Sequence, residues 1–123
     1  MTSKLRSYYH ARSCLESMSK IIVIFVTASS LDEARKIGQT LVEEGLVACC
    51  NIVQMVESIF KWQGKLNIER EVLMIFKTRE EKFDTVEKRI KQLHSYEVPE
   101  IIAIPITQGS KSYLDWVVNQ VTA

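Results

Sequence analysis

The sequence predicts an α+β domain with the ferredoxin-like sandwich fold, in the element order β-α-β-β-α-β with a further helix at the C-terminus. Two segments carry apolar residues at helical spacing, and each follows an apolar run that is typical of a strand. Between these helices lie two long extended segments joined by a glycine-containing turn. The chain has 123 residues, 46% hydrophobic and 25% charged, which suits one soluble domain with its own core.

The first strand and helix are predicted from the start of the domain. Residues 21–26 are all β-branched or aromatic, which is typical of a strand buried on both faces, and residues 27–30 follow as a loop. Ser30 and Glu33 match a capping box at a helix N-terminus. Gly45 is placed where a helix C-terminus favours a left-handed residue. One helical face between these ends carries Leu31, Ala34, Ile37, Leu41 and Val42.

The middle of the chain predicts a long β-hairpin. Residues 46–62 form an extended segment that is longer than a typical strand of about 5–6 residues, so we expect a bend or bulge within it. Gly64 predicts a turn between Trp62 and Lys65, and a return strand follows over residues 66–78. One face of the return strand is apolar and consists of Leu66, Ile68, Val72, Met74 and Phe76.

A second amphipathic helix follows the hairpin. Thr78 and Glu81 match a second capping box, which predicts that the helix starts there. The segment ends at His94. Its apolar positions, at spacings of three and four, are Phe83, Val86, Ile90 and Leu93.

The last part of the chain predicts one more strand and a short helix. The fourth strand comprises Val98 and residues 101–106, with Pro99 and Pro105 near its ends, where a ladder donor is not needed. The C-terminal helix is indicated by Tyr113, Leu114, Trp116, Val117 and Val121.

Both faces of the predicted sheet carry apolar residues, yet its two long helices can cover only one of them. A chain of this length has few elements left for the other face, and an exposed apolar face of that size normally marks an association surface. The sequence therefore predicts a homo-oligomer.

The N-terminal region and the cysteines bear on organisation and location. Residues 1–19 are Ser-rich with no regular apolar period, which predicts a flexible extension outside a domain at 20–123. They lack the apolar stretch of a signal peptide. The three cysteines, Cys14, Cys49 and Cys50, are odd in number and form no C-x-x-C motif, so we expect no disulfide framework and a reducing, cytoplasmic location.

Several functions are disfavoured by the residues. The net charge of +1 gives no excess for binding nucleic acid, and no apolar run is long enough for a membrane helix. The third strand lacks the aromatic pattern of an RNA-recognition motif, and the loop at 27–30 lacks both paired metal-binding cysteines and the arginine of a phosphate cradle. The tight turn at Gly64 leaves no room for a long regulatory loop. No set of nucleophile, base and orienting residue is recognisable, so we expect no enzymatic activity.

The chain resembles the CutA family of divalent-cation tolerance proteins over roughly residues 20–120. Agreement of several segments in order and spacing is more specific than any one motif. The matching segments are Leu46-Val47-Ala48-Cys49-Cys50-Asn51, Trp62-Gln63-Gly64-Lys65, Glu71 to Arg79, and His94-Ser95-Tyr96-Glu97-Val98-Pro99-Glu100-Ile101.

The resemblance implies a ferredoxin-like subunit in a tight homotrimer, in which the long second and third strands pair between subunits. It also implies a link to tolerance of copper or another divalent metal ion. The family's metal site has been associated with the histidine that matches His94 and with a first-strand cysteine, where this sequence has Val26. Cys49 matches a second-strand cysteine of the family.

Two interpretations of the candidate site remain open. As a metal site it would use His94, Cys49 and Glu100, although His94 could instead interact with a helix dipole. As an inter-subunit pocket for a small anionic ligand, in a trimeric binding or signalling module, it would be lined by Trp62, Glu71, Lys77, Tyr96 and Pro99. These aromatic residues could equally pack in the trimer interface, and Glu71 could pair with Lys77.

Overall fold

The computed structural model describes residues 20–122, so the predicted extension at 1–19 lies outside the described residues. Within them a four-stranded antiparallel sheet has the order β2-β3-β1-β4. This order is the split β-α-β arrangement, and it confirms the predicted α+β ferredoxin-like fold. The elements are β1 (Ile21–Ala28), α1 (Leu31–Glu43), β2 (Cys49–Trp62), β3 (Lys65–Arg79), a 3₁₀ turn (Glu80–Lys82), α2 (Phe83–Leu93), β4 (Ile101–Pro105) and α3 (Lys111–Gln120).

The main core lies between the sheet and the helices α1 and α2. Alternate residues of β1 and β3 face it in register, with Ile24 opposite Phe76 and Val26 opposite Met74. These four side chains are fully buried. The helices contribute Ala34, Ile37, Leu41, Val86 and Ile90.

The opposite face of the sheet is partly covered by the chain itself. A second, smaller cluster lies on this face. Val117 and Val118 of α3, and Val121 directly after the helix, pack there on Ile21 and Ala48. Part of the face for which the sequence offered few covering elements is therefore covered within the subunit by α3. Ile102 and Ile104 of β4, which belong to the same face, stay more than half exposed.

The predicted irregularity in β2 is a bulge between Val53 and Val56. Met55 lies within it and adopts a φ of 62°. Before the bulge, even-numbered residues of β2 such as Ile52 lie on the core face of the sheet. After the bulge, odd-numbered residues such as Ile59, which lies opposite Ile68, are on that face. The bulge thus exchanges the two faces of β2 while β3 keeps its alternation.

Beyond the bulge, β2 and β3 continue as a two-stranded ribbon. β1 pairs with β3 only from Val72 to Arg79, so no third strand among residues 20–122 pairs with the remaining length of the hairpin. Gln63 and Gly64, both with positive φ, form the two-residue turn at its tip, which the sequence predicted.

The helix ends agree with the sequence in part. Ser30 caps α1 by accepting from the backbone N–H of Glu33 at 3.2 Å, as predicted. The second predicted capping box is wrong, because Thr78 belongs to β3, is buried, and donates its hydroxyl to the carbonyl of Leu46 at 2.7 Å. That bond ties β3 to the segment preceding β2. A 3₁₀ turn with no side-chain cap follows instead.

Strand boundaries also differ from the expectation. β1 continues through Thr27 to Ala28, since both residues pair with β3, at Leu73 and Val72. β4 starts only at Ile101, and Val98 lies outside it and is exposed.

Candidate functional site

His94 directly follows α2 as its C-terminal cap, and its side chain is completely buried. Its Nε2 atom lies 2.7 Å from the carbonyl oxygen of Thr27, near the end of β1. Its Nδ1 atom accepts a hydrogen bond from the backbone N–H of Tyr96 at 3.0 Å. Because a carbonyl can only accept, Nε2 carries the proton and Nδ1 does not. Both nitrogens of a neutral imidazole are therefore engaged within the chain.

Glu33, in the first turn of α1, brings a carboxylate to this segment. Its Oε2 accepts from the backbone N–H of Ser95 at 2.7 Å and lies 3.9 Å from Nδ1 of His94. Its Oε1 accepts from the N–H and the hydroxyl of Ser29 at 3.3 and 3.2 Å. Burial acts to raise the pKa of Glu33, but the hydrogen bonds from Ser95 and Ser29, together with the nearby His94, outweigh it and leave this pKa lowered.

Tyr96 connects the same segment to the hairpin. Its ring centroid lies 4.7 Å from that of His94, and its hydroxyl donates to Oε2 of Glu71 at 2.9 Å. Glu71 pairs with Val56, so it lies beside the bulge at the base of the ribbon. Burial and the bond to this carboxylate raise the pKa of Tyr96 to about 12. The structure thus joins two residues of the predicted pocket, Tyr96 and Glu71.

Cys49 lies in different surroundings. It pairs with Lys77 at the start of β2, and its Sγ is 3.6 Å from the hydroxyl of Tyr113 on α3. The Lys77 ammonium contacts the side-chain oxygen of Asn51, not Glu71. Hydrogen bonding to Cys49, followed by burial, raises the pKa of Tyr113 to about 12.

Cys49 and His94 are well separated along the sheet. Lys77, the partner of Cys49, is opposite Val23, four residues before Thr27, to which His94 bonds. At about 3.3 Å per residue this is a separation of roughly 13 Å along β1 alone.

The remaining predicted residues are spread around the subunit. Pro99 is buried, whereas Glu100 is exposed just before β4, and Trp62 is exposed at the tip of the ribbon. Within residues 20–122, no three His, Cys, Asp or Glu side chains are grouped so that they could hold a metal ion. The ligands predicted for a metal site are therefore not assembled within one chain. In the same part of the chain, no helix has the length and apolar character needed to cross a membrane.

Two residues around His94 were not predicted as part of the site. Glu33 was recognised only as a helix cap, and the capping motif carries no signal that one of its oxygens would reach a segment 62 residues away. Thr27 takes part through its main-chain carbonyl, which no side-chain pattern reveals.

The fold and these segments define a ferredoxin-like domain with an overlong central hairpin. The sequence profile of the CutA1 divalent ion tolerance proteins matches residues 22–120. The chain belongs to the CutA1 family.

Relatives agree over the same region. The divalent-cation tolerance protein CutA of Thermus thermophilus is 46% identical over 94 residues, which are 76% of this chain and 91% of that protein. The chloroplastic CutA of Arabidopsis thaliana is 41% identical over 80% of this chain, which spans only 54% of that relative's length. A solved structure of the Thermus thermophilus Cut A1 protein superposes with a TM-score of 0.81 at 42% identity, covering 83% of this chain and 99% of that one.

Proposed function

We propose that this protein acts in divalent-cation tolerance as a cytoplasmic homotrimer, which binds copper or another divalent ion through few ligands. The observation that carries the assembly is the apolar ribbon formed by β2 and β3 beyond the bulge. The names of the relatives, as divalent-cation tolerance proteins, support the cation.

One face of the ribbon carries apolar side chains, and no core cluster in the described part of the chain packs against them. Leu66 and Ile68 lie on the same face of β3 as Val72, Met74 and Phe76, with Arg70 between the two groups, and they are 67% and 61% exposed. Ile59, directly opposite Ile68, is 63% exposed. A two-stranded hairpin alone is marginal in water, so this length of strand needs a partner to cover it.

A second copy of the chain fits that requirement. Among residues 20–122 no strand pairs with the outer edge of β4, and its Ile102 and Ile104 are more than half exposed on the sheet face. A ribbon that contacts this different surface of a neighbour makes a heterologous contact, and such a contact forms a ring when the rotation between neighbouring subunits closes. Three subunits are the number that the family resemblance implies.

The cation is proposed to bind where subunits meet. One chain offers a thiol at Cys49, an imidazole at His94 and carboxylates such as Glu100, but not as a group within residues 20–122. Thiolate and imidazole ligands favour copper and zinc. We therefore propose that one subunit supplies one or two of these ligands and that a second subunit completes the site.

A second candidate function is the binding of a small anionic ligand between subunits. The observation that favours it is the engagement of both ring nitrogens of His94, which leaves neither for a metal in this arrangement. Tyr96, held by Glu71 and partly exposed, then forms a wall of the pocket.

Assembly is tested by native mass spectrometry at micromolar concentration. The wild type should be a trimer, and Ile68→Glu should dissociate it because a charge replaces an apolar contact. Val42→Glu, at an apolar position of α1 that is 41% exposed, is the matched control and should stay trimeric. A monomeric wild type would contradict the proposal.

Cation binding is tested by calorimetric titration with Cu²⁺, and with Zn²⁺ as a redox-inert probe. All proteins carry Cys14→Ser, and the variants are Cys49→Ser, His94→Ala and Glu100→Gln. Stoichiometric binding that weakens at least tenfold in one variant supports metal binding. Equal binding by all four proteins, or none, would remove these residues as ligands and favour the anion-binding alternative.

A further inference from the structure

Glu33 has a contact that helix capping does not require. In an ordinary capping box the glutamate bonds to the N-cap residue, here Ser30. Glu33 instead uses Oε1 for Ser29 and Oε2 for Ser95, which is 62 residues further along the chain. Its side chain is only 14% exposed.

We infer that Glu33 is a positioning residue, which holds the segment 94–96 in the arrangement that places the His94 ring and the Tyr96 hydroxyl. This inference rests on the proposed function, in which His94 and Tyr96 belong to the binding site. The helix holds only the start of this segment, through the bond from the N–H of His94 to the carbonyl of Ile90 at 2.8 Å. Ser95 and Tyr96 lie between α2 and β4, and their N–H groups bond to side chains instead.

The geometry gives the order of dependence. The bond from Ser95 N–H to Oε2 fixes the backbone directly after His94. With Ser95 fixed, the N–H of Tyr96 meets Nδ1 of His94, which keeps the ring proton on Nε2. The same backbone position allows the Tyr96 hydroxyl to reach Glu71 at the base of the ribbon.

The carboxylate suits this task because its two oxygens act in different directions. One oxygen is anchored to the start of α1 through Ser29, so the other reaches Ser95 from a fixed base. Hydrogen bonds to a charged acceptor are about twice as strong as neutral ones.

Three variants of the 123-residue chain separate the effect of side-chain length from that of charge. Glu33→Asp keeps the charge but shortens the side chain by one methylene, so it should not reach Ser95. Glu33→Gln loses the charge but keeps one oxygen for Ser95 and an amide that can donate to the Ser29 hydroxyl. Asp32→Asn, an exposed acid in the same first turn of α1, is the matched control for loss of charge near the helix N-terminus.

Two readouts report on the segment itself. Amide hydrogen exchange of Ser95 and Tyr96 should accelerate by about tenfold or more in Glu33→Asp, because a bond to a charged acceptor is lost. The ¹⁵N shifts of the His94 ring should move towards values averaged over both tautomers. Glu33→Gln should stay within about threefold of the wild type in exchange, and Asp32→Asn should match it.

The outcomes distinguish this inference from the proposed function. If Glu33→Asp leaves both exchange rates and the ring shifts as they are in Asp32→Asn, Glu33 does not position the segment. If Glu33→Gln accelerates exchange as much as Glu33→Asp does, an oxygen within reach of Ser95 is not sufficient to hold the segment, and the positioning role by reach is wrong. Titration of the wild type with Cu²⁺ tests the proposed function separately, since its failure leaves the ring shifts and exchange rates interpretable.

Discussion

The Nε2 atom of His94 lies 2.7 Å from the carbonyl oxygen of Thr27, so a buried imidazole joins the segment after α2 to the end of β1. Its other nitrogen accepts from Tyr96, two residues further on. A ring engaged at both nitrogens is a structural link in this arrangement. For His94 to bind a metal, one of these two bonds must first be replaced.

Substitution of His94 is expected to destabilise the protein in proportion to the bonds removed. His94→Ala loses both and leaves the Thr27 carbonyl and the Tyr96 N–H without their partner, at a cost of about 2–4 kcal/mol. Asn can supply an oxygen at the position of Nδ1, and Gln can supply a donor at that of Nε2, so His94→Asn and His94→Gln should each cost roughly half as much. Urea unfolding at one fixed protein concentration measures this.

The order of the three His94 variants in stability is the informative result. If His94→Ala is as stable as the wild type, the two bonds do not contribute to folding. If both conservative variants are as destabilised as alanine, burial of the ring and not its hydrogen bonding is the source of the stability.

Gly45 is expected to resist substitution more strongly than Gly64. Both have positive φ, 71° and 77°, which disfavours any L-residue. A Cβ at Gly45 would also overlap Oγ1 of Thr122, whereas Gly64 has no atom within 4 Å of that position. Gly64→Ala should cost about 1 kcal/mol from backbone conformation alone, and Gly45→Ala about 2 kcal/mol or more.

The part of the Gly45→Ala destabilisation that comes from overlap with Thr122 can be measured separately. Adding Thr122→Ala to Gly45→Ala removes the overlapping atom and should recover most of the difference from Gly64→Ala, as measured by urea unfolding. Equal destabilisation by the two single alanine variants would show that Thr122 moves aside without cost.

Cys50 is expected to react slowly with thiol reagents. Burial, and to a lesser extent the neighbouring Cys49, raises the pKa of Cys50 to about 12. At pH 8 the thiolate fraction of Cys50 should therefore be roughly a thousandfold lower than that of an ordinary thiol. Because only the thiolate reacts, the labelling rate should fall with it. In a Cys14→Ser/Cys49→Ser variant, iodoacetamide labelling followed by mass spectrometry measures the rate at Cys50.

The same variant unfolded in concentrated urea is the control, because it restores an ordinary thiol. Similar labelling rates in the folded and unfolded protein at pH 8 would contradict the raised pKa of Cys50.

How far the sequence predicts the structure differs between elements. The cap at Ser30 and the glycine end of α1 were predictable because each depends on neighbouring residues: Gly45 N–H bonds to Val42 and Leu46 N–H to Leu41. Thr78 has an equally good local capping pattern, but its hydroxyl bonds to the Leu46 carbonyl, 32 residues away, and the strand continues through it. A local signal was overridden by a contact that the local sequence does not show.

The candidate site shows the same division. Tyr96 and Glu71 were both predicted as pocket residues, and the fold places them in contact. Lys77 and Cys49 were predicted for the site too, but they lie with Asn51 and Tyr113 in another part of the sheet. Motif matches identify residue types in order along the chain, whereas sheet register decides which of them meet.

The sequence by itself determined the element order, the long hairpin with its irregularity and the glycine turns, because periodicity and turn chemistry act over a few residues. The resemblance to the family came from matching segments in the same order and spacing. Only the tertiary structure decided which face of β2 each side chain takes beyond Met55, and that α3 covers part of the second sheet face. It alone also showed that Glu33 and Thr27 surround His94. These contacts join residues more than 60 positions apart, and they depend on register and packing that no local pattern encodes.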